Sequence, residues 1–493
     1  MSFFLLPTIP LQDNIDKLFN VSYFNLSTNT NTNTIINKTL FSYLTNIKER
    51  IDSKLLVWDQ YKKFTNPYEY IHSHVPNTSQ SVCKINPLSR SFFKMIELVN
   101  MLTLFEGLPS QCKTFHLAEG PGGFIEATSY LRQCKNDKYY AMTLINDDDQ
   151  NVPGWKKTKH FLTTNPNVII EKGIDGTGNL MKSENLKYCY DKYNGSIDFI
   201  TADGGFDFSS DFNNQEVLSG KLLLSQIAFA IAMQKKGGNF VIKFFDIFTK
   251  TSIDMMYFLS MLYNQVYVVK PNTSRYTNSE KYIVCKDFRI DNAEYINKIV
   301  LKMIDIIESF TNTSLFIEKI FSMEIPYYYI NKMEEYNAII GQQQIENIFA
   351  TLSIINSNNS NKYNHNFSDI KNIHIQKCIG WCKKYKLPHN KVNNYGMNMN
   401  NIFTSTSAST SASTSASTSA STSASTYNSN NNNMFFYKNY NTKNTIVDKK
   451  EVDEMIEDTD ADLHSDDIDL DADADDLDSD VDADADIDFN EII

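Results

Sequence analysis

Between residues 81 and 290, seven short apolar runs alternate with helix-like segments, and this alternation restricts the fold more than any other feature of the chain. The runs are TFHLA (114–118), YYAMTL (139–144), NVIIE (167–171), IDFITAD (197–203), GNFVIKFF (238–245), QVYVVK (265–270) and KYIVCK (281–286). Near-continuous apolar strands separated by helices belong to a parallel sheet buried on both faces. The helix-like segments between them include Gly122 to Cys134, Glu216 to Lys235 and Ser252 to Tyr263. Only PNTSRYTNSE separates the last two runs, which is too little for a crossover helix, so those two strands should pair antiparallel. The expected fold is therefore α/β: a doubly wound sheet with one antiparallel strand near its end.

The first strand ends in the stretch FHLAEGPGGF, residues 115–124. Three glycines at a strand-to-helix corner are kept where the backbone takes positive φ or approaches another group closely. A strand, a glycine-rich turn and a helix N-terminus also form a common cradle for nucleotide-like ligands, although an ordinary tight turn has the same ingredients. A dinucleotide fingerprint would need glycine at position 125, which is Ile125, and no Gly-Lys-Ser/Thr follows to make a P-loop. What remains is a ligand with little phosphate and a long polar body.

Charged residues at strand ends narrow the chemistry. Asp203 directly follows the apolar IDFITA, and ligands of open α/β sheets bind outside the C-terminal strand ends, so Asp203 should face the same crevice as Gly122. Lys243 sits inside GNFVIKFFDIF, where a lysine is rarely buried unless paired. Desolvation there lowers a lysine pKa and can make it a base near neutrality, while a purely structural Lys–Asp pair is the alternative. Glu280 opens the final strand and Lys94 lies on the helix-like SRSFFKMIELVNMLTLF. A second ammonium would push the pKa of Lys243 down, and carboxylates would push it up while orienting it.

Taken together, SRSFFKM, FHLAEGPGGFIEA, AMTL, GIDGTGNL, TADGGFDF, KLLLSQIAFAIAMQKKGGNFVIKFFDIFT and VVKPNTSRYTNSEKYIVCK resemble, in order and spacing, the FtsJ-like ribose 2′-O-methyltransferases. Within that family the likeness is greatest to the eukaryotic and viral mRNA-cap enzymes. The resemblance implies a class I methyltransferase fold, S-adenosylmethionine as cofactor, and a Lys-Asp-Lys-Glu tetrad at Lys94, Asp203, Lys243 and Glu280. In it Lys243 would act as base or orienting group for a ribose 2′-hydroxyl, Lys94 would steady the attacking oxygen, Asp203 would orient Lys243, and Glu280 would hold the lysines. The donor would lie against Ser89, Glu119, Gly120, Pro121, Gly122, Gly123, Phe124, Asn179 and Asp203. Ser274, Arg275 and Asn278 would meet the RNA. Two positions depart from the family pattern: Glu119 replaces the small residue of bacterial turns, and Asn179 stands where many relatives carry an acid.

The implied function is methylation of RNA, with the capped 5′ end of mRNA as the expected partner. Ribosomal or transfer RNA is the alternative substrate, and a catalytically silent RNA-binding module or a tail-based interaction scaffold are alternatives of another class. Four zones are expected: an N-terminal extension (1–80), the methyltransferase domain (81–290), a mostly helical extension (291–400) and a low-complexity tail (401–493). Net charge is −13, but residues 448–493 alone hold 22 acids against two lysines, so the rest of the chain is net +7 and suits a polyanion. The Ser/Thr/Ala repeat, Asn run and acidic tail cannot bury enough apolar area to offset chain entropy and are expected to be disordered, with the tail open to protein partners. Seven scattered cysteines, no secretory signal and no membrane-length apolar run lead to the expectation of a soluble, intracellular protein without a membrane partner. His374, Cys378 and Cys382 lack a second ligand pair, so no metal is expected and the four-residue spacing reads as one helix face.

Overall fold

The computed structural model describes residues 2–26, 35–146, 152, 154–206, 212–310, 313–359 and 367–391. The chain begins with β1 (Ser2–Leu5), α1 (Ile15–Leu18), β2 (Phe19–Phe24), α2 (Lys38–Asp52) and α3 (Leu55–Tyr61). The central part runs α4 (Ser91–Leu102), β3 (Lys113–Leu117), α5 (Gly123–Arg132), β4 (Lys138–Met142), α6 (Lys159–Thr164), β5 (Val168–Ile170), α7 (Ser183–Tyr193) and β6 (Ile197–Ala202). It continues with α8 (Gln215–Leu218), α9 (Gly220–Met233), β7 (Gln234–Phe244), α10 (Lys250–Leu262), β8 (Tyr263–Lys270) and β9 (Lys281–Phe288). Last come α11 (Ala293–Phe310), β10 (Phe316–Phe321), α12 (Tyr327–Asn359) and α13 (Phe367–Lys384).

Eight strands form one sheet in the order β1-β8-β9-β7-β6-β3-β4-β5. Strands β3 to β7 are mutually parallel, and β9 enters between β7 and β8 antiparallel to both. The α/β expectation and the antiparallel pairing of the last two runs therefore hold. One strand has no counterpart in the sequence reading: β1 pairs antiparallel with β8, Phe3 opposite Val269, and forms the sheet edge. The expected helix Glu216 to Lys235 is two helices that stop at Met233, because Gln234 turns to extended geometry and opens β7.

The sheet is covered on both faces. One core joins α7, α9, α10 and α11 to Phe115, Ile200, Ile242 and Ile283, and the other joins α4, α5 and α13 to Phe199, Val241 and Val284. Alternate residues of β6 and β7 thus enter opposite cores, as the two-residue period of a strand requires. Helix α9 is buried on nearly every side, which explains its lack of a polar face. Helix α11 buries Ile296, Ile299, Val300, Met303, Ile306, Ile307 and Phe310 at three- and four-residue spacing, an amphipathic stripe facing the core.

The flanking segments pack against this body. Strand β2 pairs with β10 in a separate two-stranded sheet. Helix α13 brings Trp381 against Phe93 of α4, with ring centroids 5.9 Å apart. His374, Cys378 and Cys382 all lie in α13 and are buried. No described helix is long and apolar enough to cross a membrane. The Asn/Ser stretch 356–366 begins within α12, and its part from 360 onward lies outside the described residues, as do the Ser/Thr/Ala repeat and the acidic tail.

Candidate active site

Strand β3 delivers the chain into the glycine-rich turn at its C-terminal end. Gly122 has φ of 110° and caps α5, a conformation that L side chains rarely adopt. A Cβ at Gly120 would lie 2.5 Å from the carbonyl oxygen of Gly154, and one at Gly123 would overlap the hydroxyls of Ser89 and Ser91. The glycines are therefore enforced by close approach as well as by backbone angle. Ser89 and Ser91 share a 2.6 Å hydrogen bond beneath the turn. Trp155 lies against the outer wall, 3.4 Å from a Cβ built at Gly122, and its indole Nε1 has no hydrogen-bond partner among the described residues.

Two loops close on the same corner. Gly178 lies directly against the backbone of Thr143, and Ile145 N donates to Thr177 O at 2.8 Å. Asp175 and Asn185 hold the 173–179 loop: Asn185 Oδ1 accepts from Ile174 N and Asn185 Nδ2 donates to Asp175 Oδ1. Asn179 is half-buried, with its Oδ1 accepting from Met181 N at 2.8 Å. Phe124 is fully buried and packs on Tyr282, ring centroids 5.6 Å apart. Glu119 points the other way. Its carboxylate accepts from the Thr201 hydroxyl and lies 3.3 Å from His116 Nδ1, with a side chain only 1% exposed.

The four residues of the expected tetrad come from four separate places and lie together. Lys94 projects from α4, and its Nζ is 2.8 Å from Glu280 Oε2. Lys243 lies in β7 with its Nζ 3.6 Å from Asp203 Oδ1, just past β6. Gly204 N donates to Gln226 Oε1 at 3.1 Å, so a buried amide on the largely apolar α9 fixes the turn that follows Asp203. Burial alone would raise the Glu280 pKa, but Lys94, Lys243 and Lys270 outweigh it and hold the carboxyl well below its usual range. That shared field couples the two ion pairs. Removing one partner of a buried pair typically costs about 3–5 kcal/mol, because the other charge is left uncompensated.

Several residues here were not singled out from the sequence. Tyr282 stands opposite Lys243 in the β7–β9 register and donates to Asp203 Oδ1 at 3.1 Å. Asp246, beyond β7, receives Lys48 of α2 at 2.7 Å and Lys281 of β9 at 3.6 Å, all three buried. Lys270, at the end of β8, is buried too. Lys270 and Lys281 border apolar strand runs much as Lys243 lies within one, so the same signal was available for them.

The 271–280 loop is largely internal. Ser274 is 1% exposed and Arg275 6% exposed, and the Arg275 guanidinium grips Glu69 through Nε at 3.1 Å and Nη2 at 2.8 Å. Of the three residues expected to meet RNA, only Asn278 is exposed.

Residues 87–288 match the family model for FtsJ-like methyltransferases. The chain is 34% identical over 196 residues to the mouse cap-specific mRNA (nucleoside-2′-O-)-methyltransferase 1, covering 37% of this chain and 23% of that protein. It is 36% identical over 197 residues to the zebrafish protein of the same name, covering 37% and 23%. Against the one from Dictyostelium discoideum it is 30% identical over 269 residues, covering 48% and 34%. The chain thus spans between about a quarter and a third of the length of these relatives. Sheet order, glycine turn and family match converge on residues 87–288, the part of the chain that is similar to the FtsJ-like methyltransferases.

Proposed function

We propose that the protein transfers the methyl group of S-adenosylmethionine to a ribose 2′-hydroxyl of RNA in the 5′-cap region of mRNA. The observation that carries this reading is the pairing of a strand-buried Lys243 with Asp203 beside the Lys94–Glu280 pair, next to the glycine turn. The similarity to cap-specific mRNA methyltransferases supports the cap as substrate.

The residues present suit the donor. Gly120 and Gly123 leave bare backbone where a side chain would collide, and Trp155 Nε1 offers an unused donor at the wall. Glu119 faces inward, so its part is to brace the turn through Thr201 and not to touch the ligand. Bound there, the donor supplies an electrophilic methyl on a sulfonium. In its neutral amine form Lys243 Nζ would accept the 2′-hydroxyl proton as the oxygen bonds to the methyl carbon, whose bond to sulfur would break to leave a neutral thioether. Asp203, itself held by Tyr282, keeps that amine in line. Lys94, held by the Glu280 carboxylate, steadies the developing charge on oxygen. Alignment of the two reactants can supply roughly 7–11 kcal/mol, and general-base help about 10²- to 10⁴-fold.

The test is one labelled-donor assay on capped, triphosphate-ended and ribosomal RNA, followed by nuclease mapping. Label at the first or second transcribed nucleotide of the capped strand, with much less on the identical uncapped strand, is expected. Equal labelling of both, or label confined to ribosomal RNA, would sink the cap assignment and leave the methyl transfer standing.

A further inference from the structure

Glu280 is the last residue of a ten-residue loop, and a loop end is a poor place from which to hold two lysines. What fixes it is Lys270, the final residue of β8, whose side chain is buried and reaches across the loop's base. Its Nζ donates to the carbonyl of Asn278 at 2.7 Å and to the carbonyl of Glu280 at 2.5 Å. A neutral amine has two N–H groups and an ammonium three, so both forms satisfy these acceptors. The pin therefore survives a change of protonation, while the charge does not.

That charge lies within the group that shares Glu280. Facing Lys270 are Glu280 at the loop's end, Lys281 of β9, Lys94 of α4 and Asp246 beyond β7. Burial pushes its pKa down to about 7; Lys281 and Lys94 push the same way, and Glu280 and Asp246 oppose them. We propose that Lys270 is a positioning residue for the tetrad: its side chain fixes the backbone of Glu280, and its charge competes with Lys94 and Lys243 for the Glu280 carboxylate. The inference rests on the methyl-transfer reading above.

Two variants and two readouts test it. Lys270→Met removes pin and charge together, and Lys270→Arg keeps a charge that does not titrate. Amide hydrogen exchange needs no substrate, and in Lys270→Met it should quicken at residues 279–281 by about tenfold or more while β3 stays protected. In the methyl-transfer assay the same variant should lose about tenfold or more in kcat, with KM for RNA within about twofold. Wild-type kcat should show an ionisation near neutrality that disappears in both variants, and Lys270→Arg should retain more turnover than Lys270→Met. Unchanged exchange at 279–281 would overturn the pin. A pH profile of the same shape in wild type and Lys270→Arg would overturn the charge competition, and that arm decides if Lys270→Met does not fold. A wild-type protein inactive on every RNA would count against the methyl-transfer reading, while the exchange experiment would still judge Lys270.

Discussion

The hydroxyl of Tyr282 donates to Asp203 Oδ1 at 3.1 Å from the strand position directly opposite Lys243. One antiparallel pairing therefore places the orienting hydrogen bond and the lysine side by side, and the Tyr282 ring ties both to Phe124 behind the glycine turn. Hydrogen bonds to charged groups contribute about 1.5–3 kcal/mol. Tyr282→Phe keeps the ring packing and loses only the hydroxyl. Turnover should fall about tenfold with RNA KM little changed, and single-turnover kinetics measure it.

Glu280 gives a prediction in pH. Its carboxyl is held well below the ordinary range, so its contribution to stability is present above the unfolded-state pKa of about 4.3 and is lost as pH falls toward the folded value. Glu280→Gln removes that contribution and leaves Lys94 facing an uncharged partner. Denaturant melts at pH 7 should show a loss of about 3–5 kcal/mol. Between pH 5 and pH 2 the variant should lose less further stability than wild type, giving a flatter acid limb in a series of melts.

Two glycines should separate donor binding from chemistry. Gly122→Val puts a β-branched side chain at φ of 110° on the turn, so calorimetry should show weakened S-adenosylmethionine binding. A Cβ at Gly205 would lie 3.2 Å from Lys243 Nζ and 3.4 Å from the Phe245 ring. Gly205→Ala should therefore lower kcat while donor affinity stays near wild type. Equal loss of donor affinity in both variants would contradict this division.

The sheet was legible because its central strands are buried on both faces and so read as continuous apolar runs, and edge strand β5, though partly exposed, is apolar throughout; all seven runs fall within or overlap β3 to β9. Strand β1 was not legible, since Phe3 and Leu5 lie at an edge and are about half exposed, leaving no buried run to detect. Positions of the four tetrad residues followed from charges set against apolar sequence, but their convergence did not, because Lys94 and Glu280 are 186 residues apart and meet only through the sheet order. The direction of Glu119 was equally hidden, as its partner Thr201 belongs to a neighbouring strand. Family pattern placed Ser274 and Arg275 at the RNA, whereas both are buried, and Arg275 is gripped by Glu69, from a segment with no pattern of its own.

Arg275 accordingly tests structure against contact. Its guanidinium binds Glu69 through two nitrogens, and Arg275 holds the Glu69 carboxyl well below its usual range against the effect of burial. Lysine cannot reproduce a two-pronged grip, so Arg275→Lys should lower the melting temperature by several degrees, about 1–3 kcal/mol. The salt dependence of RNA affinity should be unchanged, because no phosphate contact is lost. A shallower salt slope with an unchanged melting temperature would place Arg275 on the RNA instead.

Whether Lys243 takes the proton from the 2′-hydroxyl is decided by single-turnover methyl transfer to capped RNA by Lys243→Ala at saturating donor. The rate should fall at least about 10² below wild type, with donor affinity by calorimetry within about twofold. Methyl transfer at a near-normal rate in that variant would contradict proton abstraction by Lys243.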